Sequence, residues 1–196
     1  MSPLERRLIL VRHAQPAIDP SMPASRWRLT EEGRTGAASL GQRLALYRPR
    51  ACYSSPEPKA IETAAGIVTA IDVPVVPVPG LAEHAREDVP FLGSAAAFRE
   101  RLLEVFARPG EVVFGEESAH QAAERFTDAM DLVMEEAGAE SVVAVSHGTV
   151  MSLYVSGRIG LNAVEFWDSL GWGAFVVIGW ESGQVLDFDA GDRGGP

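Results

Sequence analysis

The sequence predicts an α/β fold, a three-layer sandwich with a mostly parallel central sheet, helices on both faces and a small helical cap insertion. Three observations carry this. Continuous apolar runs at Leu8-Ile9-Leu10-Val11 and Val142-Val143-Ala144-Val145 read as strands buried on both faces. Segments of helical periodicity lie between the strand-like runs, as right-handed crossovers require. Near the C-terminus, Glu181-Ser182-Gly183 joins two further runs in the manner of an antiparallel hairpin.

The elements follow in order. The first strand ends by delivering Arg12 and His13, and Pro16 to Pro23 forms a proline-rich loop. Thr30 reads as an N-cap, with Glu31 and Glu32 in the first turn of a helix running to about Leu46. Arg50 to Ser54 reads as a second strand, Ser55 to Pro58 as a loop, and Lys59 to Ala70 as a helix with Ile61, Ala64, Ala65 and Val68 on one face. Val73 to Val78 is a third strand whose two prolines point to a sheet edge. Leu81 to Glu117 breaks the rhythm. Within it, Ser94 caps a helix reaching Arg108, with Phe98, Leu102 and Val105 turned inward. Ser118 and Gln121 fit a capping box for a helix carrying Ala122, Phe126, Met130 and Val133 and ending at Gly138. The fourth strand, Ser141 to Ser146, runs into His147-Gly148-Thr149 and a helix to about Gly157. A short helix from Ala163 to Trp167 precedes hairpin strands at Ala174 to Trp180 and Gln184 to Phe188. The Gly-rich tail, 190–196, is expected to be disordered.

A length of 196 residues suits a single domain, 1–196, with the insertion at about 85–117. The net charge of −10 argues against nucleic acid as a partner, because affinity there comes from neutralising phosphates. No apolar run approaches the roughly 20 residues that span a bilayer. The run after Arg6 and Arg7 is too short for a signal peptide, so a cytoplasmic location is expected, away from membranes. Cys52 is the sole cysteine, which excludes an internal disulfide and a cysteine-built metal site. Of 17 basic residues, 16 are arginine and one is Lys59.

Parallel strands share a carboxyl edge, so the residues just beyond them gather in one crevice. Arg12, His13 and His147 stand at that edge, and Lys59 begins the helix after the second strand. Helix N-termini near Lys59 and after His147 add partial positive charge and free N–H groups. Together they describe an anion pocket inside an acidic protein, with phosphate the first candidate. The same residues are also compatible with a surface ion pair at Arg12, a loop histidine at His13 and a backbone-satisfied core histidine at His147. A lysine in a first helical turn opposes the helix dipole, so an anion or nearby acids must compensate Lys59.

Six ordered blocks resemble one family. Val11-Arg12-His13-Ala14-Gln15 is similar to the Arg-His-Gly signature of the histidine phosphatase superfamily, in its phosphoglycerate-mutase-like branch. Leu29 to Arg34, Tyr53 to Ala64, Leu81-Ala82-Glu83, Gly115 to Ser118 with Arg125, and Val143 to Thr149 resemble the blocks that follow in that family. The resemblance implies that neutral His13 attacks phosphorus to form a phosphohistidine, while Arg12, Lys59 and His147 hold the phosphoryl oxygens. It implies that Glu83 protonates the leaving oxygen and then serves as base for water, which calls for a carboxyl protonated near neutral pH. Gln15, Trp27 and His84 become candidates for the pocket rim, with Arg26 and Arg28 beside Trp27; His120 reads as a surface position. The expected substrate is a small phosphorylated molecule. No cofactor is implied, and none of the charge need come from a metal; zinc on His13, Glu83 and His147 would be opposed by Arg12.

Two positions depart from the family pattern: Ala14 replaces a glycine and Lys59 an arginine. They keep open a non-catalytic phosphate-binding protein on the same fold. A phosphoglycerate-type mutase is the other alternative. His84-Ala85-Arg86-Glu87-Asp88 does not match the mutase stretch after the acid, and the short insertion leaves little to shield a phosphoenzyme from water, so hydrolysis is favoured. A homodimer is left open, with Trp167, Trp172 and Trp180 either core or interface.

Overall fold

A computed structural model describes residues 5–192. Six strands form one sheet: β1 (Arg7–Arg12), β2 (Ala51–Ser54), β3 (Val75–Pro77), β4 (Val142–Ser146), β5 (Phe175–Gly179) and β6 (Val185–Asp189), in the spatial order β3-β2-β4-β1-β5-β6. The pairs β1–β4, β2–β4 and β2–β3 are parallel, while β5 runs antiparallel to both β1 and β6. The helices are α1 (Glu31–Leu44), α2 (Pro58–Ile71), α3 (Ala95–Ala107), α4 (Ala119–Glu136), α5 (Gly148–Ile159) and α6 (Ala163–Ser169).

Strand alternation sorts the core into two layers. Ile9, Val11, Val143, Val145 and Cys52 face α1 and α2, meeting Leu40, Leu44, Ala64 and Ile67. Leu8, Leu10, Val142, Ala144 and Tyr53 face the other way, onto Phe126, Met130 and Val133 of α4 and Met151 and Tyr154 of α5. Burying each large apolar side chain contributes about 1.5–3 kcal/mol, which is why the two all-apolar strands occupy the sheet's centre. On the first face, α1 and α2 approach closely. A Cβ on Gly41 would lie 2.5 Å from the Ile67 carbonyl oxygen, and one on Gly66 would lie 2.7 Å from the Ala37 Cβ.

The caps follow the sequence. The Thr30 side chain accepts from Gly33 N–H, Ser94 from Ala97 N–H, and Ser118 with Gln121 closes a reciprocal capping box. β3 is an edge strand, as its prolines require. Most boundaries fall within one to three residues of those expected, and three differences have a clear physical reason. The helix expected to reach Leu46 stops at Leu44 and tightens into a 3-10 turn, Ala45–Tyr47, before Arg48 turns left-handed with φ 52°. The helix expected to end at Gly157 continues to Ile159, where Gly160 supplies the left-handed cap. Within the tail expected to be disordered, Ala190 and Asp192 accept hydrogen bonds from the Gly171 and Trp172 N–H groups, and the Asp192 N–H returns one to Trp172. These backbone bonds hold the segment in place; 193–196 lie outside the described residues. Among those residues no helix is long and apolar enough to cross a membrane.

Candidate active site

The register of β1 on β4 sets the site. Arg12 lies opposite Ser146, so His13 and His147 emerge side by side, one residue beyond their strands. The His13 N–H donates to the Ser146 carbonyl at 2.9 Å, and the two imidazole centroids stand 5.2 Å apart. The two imidazoles are near neighbours, both buried.

His13 is almost wholly buried, and its Nδ1 lies 2.8 Å from the Ala14 carbonyl oxygen. A carbonyl only accepts, so Nδ1 carries the proton and Nε2 the lone pair. Burial pushes the His13 pKa well below the usual histidine value; His147, Lys59 and Arg12 add to this, against the Ala14 hydrogen bond. The imidazole is therefore neutral at neutral pH. The Ala14 N–H donates to Thr63 Oγ1, and Thr63 in turn donates to the Lys59 carbonyl, which locks the end of β1 to α2. Ala14 has no positive φ, so its replacement of glycine costs no backbone strain.

The Arg12 guanidinium stacks 4.1 Å from the centroid of Trp172 and donates through Nη1 to the Leu170 carbonyl. Burial lowers its pKa to about 10, with Glu83 acting in the other direction, and it stays cationic. His147 is fully buried, with Nε2 2.8 Å from Ser55 Oγ. Its pKa is pushed well down, first by burial and then by Lys59, with Glu83 opposing. Arg12 Nε and His147 Nδ1 are buried without a hydrogen-bond partner. Such atoms are costly unless something supplies the missing partner.

Lys59 reaches the same pocket. Its Nζ donates to the Ala24 carbonyl at 2.6 Å and to Glu57 Oε2 at 2.5 Å. Glu57 is thus the compensating acid that a first-turn lysine demands. Its other oxygen, Oε1, accepts from Glu83 N–H at 2.8 Å and lies 3.3 Å from His147 Nε2. Sequence reasoning placed Glu57 in a loop and assigned it nothing.

Glu83 sits over the start of α5. Its carboxylate accepts from the Thr149 and Val150 N–H groups at 3.2 Å each and from His84 N–H at 2.8 Å. The α5 N-terminus expected to offer free N–H groups to an anion is therefore occupied by this side chain. The requirement of a carboxyl protonated near neutral pH is also not met. Burial acts to raise the Glu83 pKa, but Arg86, His147 and the His84 N–H outweigh it and hold the group at about 2, against an opposing push from Glu57. Arg86 lies 3.6 Å from Glu83 Oε2 and is held over the rings of Phe98 and Phe114, 5.1 and 5.8 Å from their centroids. The loop itself is clamped by Arg125, which donates to the carbonyls of Gly80, Ala82 and Glu83 and pairs with Glu117 at 2.6 Å. Glu117 also accepts from Ala85 N–H.

The candidate rim residues divide. The Trp27 indole donates to the Asp19 carbonyl at 2.9 Å and meets Phe91 of the insertion edge-on at 6.3 Å, joining the first loop to the cap. Gln15 is half-buried, and its carbonyl accepts from Thr30 N–H. His84 is buried in the wall rather than lining a mouth. Arg28 pairs with Glu62 at 2.5 Å, while Arg26 and His120 are exposed. Cys52 is buried in its strand, and burial pushes its thiol up to about 12. Among the described residues no group of three His, Cys, Asp or Glu side chains is arranged to hold a metal. Arg86, Arg125 and Trp172 went unassigned as pocket residues in the sequence: Trp172 acts on Arg12 and Arg125 on the Glu83 loop from far along the chain, while Arg86 pairs with Glu83 three residues away but is placed by Phe98 and Phe114.

Solved structures share this architecture. A mycobacterial glucosyl-3-phosphoglycerate phosphatase complexed with VO3 is similar with a TM-score of 0.75 and 22% identity, over 94% of this chain and 97% of that one. Bacillus stearothermophilus YhfR gives 0.74 and 19%, over 95% and 98%. A phosphoserine phosphatase from Entamoeba histolytica in complex with 3-phosphoglyceric acid gives 0.70 and 19%, over 96% and 98%. No curated protein sequence matches the chain. The model of the histidine phosphatase superfamily (branch 1) matches residues 8–186, and the chain belongs to that superfamily.

Proposed function

We propose that the protein hydrolyses a phosphomonoester through a phosphohistidine on His13. The observation that carries this reading is the commitment of His13 Nδ1 to the Ala14 carbonyl, which leaves Nε2 unprotonated beside His147 in a pocket that also holds Arg12 and Lys59. Family membership supports it, as does the presence of phosphatases among the structural neighbours.

In the first step His13 Nε2 forms a bond to phosphorus as the P–O ester bond breaks. Arg12, Lys59 and His147 hold the three phosphoryl oxygens, where charge is spread in the transition state. Arg12 Nε and His147 Nδ1 then gain the partners they lack. Glu83 supplies the proton to the leaving oxygen. It is ionised at rest, and the charge of an incoming phosphate a few ångströms away raises its pKa, so the proton enters with the substrate monoanion. In the second step Glu83 takes a proton from water, hydroxide attacks phosphorus, the P–N bond breaks, and His13 returns neutral. Glu83 hands that proton to the departing phosphate, which leaves as the monoanion, and returns to its resting carboxylate. The cationic side chains supply the charge that a metal supplies in other phosphatases.

The test is turnover of a generic aryl phosphomonoester by wild type and His13→Ala. Expected are release of inorganic phosphate, an acid-labile phosphoenzyme in wild type, and a fall in kcat of at least about 10³-fold in the variant. Binding of phosphate with no turnover would replace the reading with a sensor. Phosphoryl transfer to an acceptor without net release would replace it with a mutase.

A further inference from the structure

The pocket contains a carboxylate that the proposed chemistry does not use. Glu57 places Oε2 2.5 Å from Lys59 Nζ and Oε1 3.3 Å from His147 Nε2, both groups that would hold phosphoryl oxygens. Its side chain is about one-tenth exposed, and that of Lys59 is 5% exposed. Water screens such a pair poorly. The ammonium has one other partner, the Ala24 carbonyl. A phosphoryl group arriving at Lys59 therefore meets a resident anion on the same cation. The groups facing Glu57 are Lys59 from α2, His147 ahead of α5 and the Glu83 backbone; Arg12 and Arg86 complete the pocket's cations, and Glu83 is the second acid.

Resting on the phosphatase reading, we propose that Glu57 is a built-in competitor for the phosphate cations, a residue that sets affinity for phosphoryl anions. It holds Lys59 while the pocket is free and yields it to a bound phosphoryl group. It takes the ammonium back as inorganic phosphate leaves. Arg12 keeps its carbonyl and indole contacts throughout, so the exchange is confined to one cation. The consequence for specificity is discrimination against free phosphate. A small anion held only by the cations loses the most to the competitor, whereas an ester retains the contacts of its organic part with the first loop and cap.

Calorimetric titration of inorganic phosphate into wild type and Glu57→Gln tests this without requiring turnover. Glutamine keeps an oxygen for the Glu83 N–H and removes the charge. Expected is tighter phosphate binding in the variant, by about 10-fold or more, the direction that follows from removing a like charge beside the ligand. A structural role would move the other way, because losing the ion pair with Glu57 leaves the Lys59 ammonium less firmly placed for phosphate. Affinity that is unchanged within about twofold, or weaker, in a folded variant overturns the proposal. A second measurement uses wild type alone. Lys59 is the sole lysine, so ¹⁵N-lysine labelling gives one ammonium resonance. It is expected to shift on saturation with phosphate, and a resonance that stays in place while calorimetry reports binding overturns the exchange. Failure of the phosphatase reading looks different: no turnover in wild type, whatever the Glu57 variant does to phosphate affinity.

Discussion

The pocket has two halves, built by different physics. The strand-end half comprises Arg12, His13 and His147, fixed by the pairing of β1 on β4, with both imidazoles buried. The loop half comprises Glu57, Lys59, Glu83 and Arg86, held by charges that satisfy one another. In the first half, geometry is inherited from the sheet. In the second, it is inherited from a balance of ion pairs that a ligand can disturb. A nucleophile needs the first kind of support, because in-line attack tolerates little misplacement. Groups that capture and release an anion can use the second.

The largest expected effect in the strand-end half, beyond loss of the nucleophile itself, comes from Arg12→Lys. The guanidinium is pinned at Nη1 by the Leu170 carbonyl and by Trp172, which aims the remaining N–H groups. Lysine keeps the charge but has no planar fork to pin. The expected loss in kcat/KM on an aryl phosphate is about 10²-fold, the cost of one misdirected donor to a transition-state oxygen. A loss below about threefold would mean that charge alone suffices and that the rigid half is not rigid in any way that matters.

Arg125→Met tests the loop half from outside the pocket. Arg125 ties the Gly80, Ala82 and Glu83 carbonyls to Glu117 and touches no reacting atom in the proposed mechanism. Removing it leaves a mostly buried Glu117 without its cation, at a cost of about 1–3 kcal/mol in denaturant unfolding. If Glu83 depends on that clamp, kcat falls by about 10-fold with little change in phosphate affinity, a split that general destabilisation would not produce. Equal changes in kcat and affinity would show that the two halves move together.

The histidines also separate the halves by pH. His13 and His147 have pKa values well below the ordinary 6.5, so the unfolded chain binds more protons than the folded one as pH falls below 6.5. Their contribution to stability is complete above that pH and is lost on acidification, at up to about 1.4 kcal/mol per pH unit for each histidine. Glu83, held at about 2 against an ordinary 4.5, adds a separate loss below pH 4.5. Thermal unfolding between pH 7 and 5 is expected to show the first slope in wild type and a shallower one in His13→Asn, where His147 and His84, both lowered by burial, still contribute. An unchanged slope in the variant would mean that His13 is not the buried neutral base proposed.

How much of this was legible in the sequence follows the same division. His13, Arg12 and His147 could be read because apolar strands end abruptly in polar residues, and parallel strands must deliver those residues to one edge. Thr30, Ser94 and Ser118 could be read because caps are local. Lys59 could be read as a residue in need of compensation, and Glu57, two positions earlier, compensates it. The role of Glu57 toward His147 could not be read, since they stand 90 positions apart. Nor could the ionisation of Glu83, which depends on Arg86 and on the first turn of α5. Trp172 and Arg125 were named in the sequence, but not their partners, for the same reason: each shapes the pocket through contacts the chain makes only once folded.

The smallest effect is expected at Ala14, where this chain departs from the Arg-His-Gly pattern. Glycine there would be required only for a left-handed backbone or a close approach, and Ala14 shows no positive φ. Its methyl group is instead packed with Leu29 and Ala37 under the first loop. Ala14→Gly therefore removes a buried methyl and adds backbone freedom to the unfolded chain, a combined cost of about 1–2 kcal/mol. The backbone N–H to Thr63 and the carbonyl that orients His13 are both retained by glycine, so kcat on an aryl phosphate is expected to stay within about twofold of wild type. A gain in turnover well beyond that would mean that the methyl group restrains the end of β1, and that the strand-end half gives up some activity for its stability.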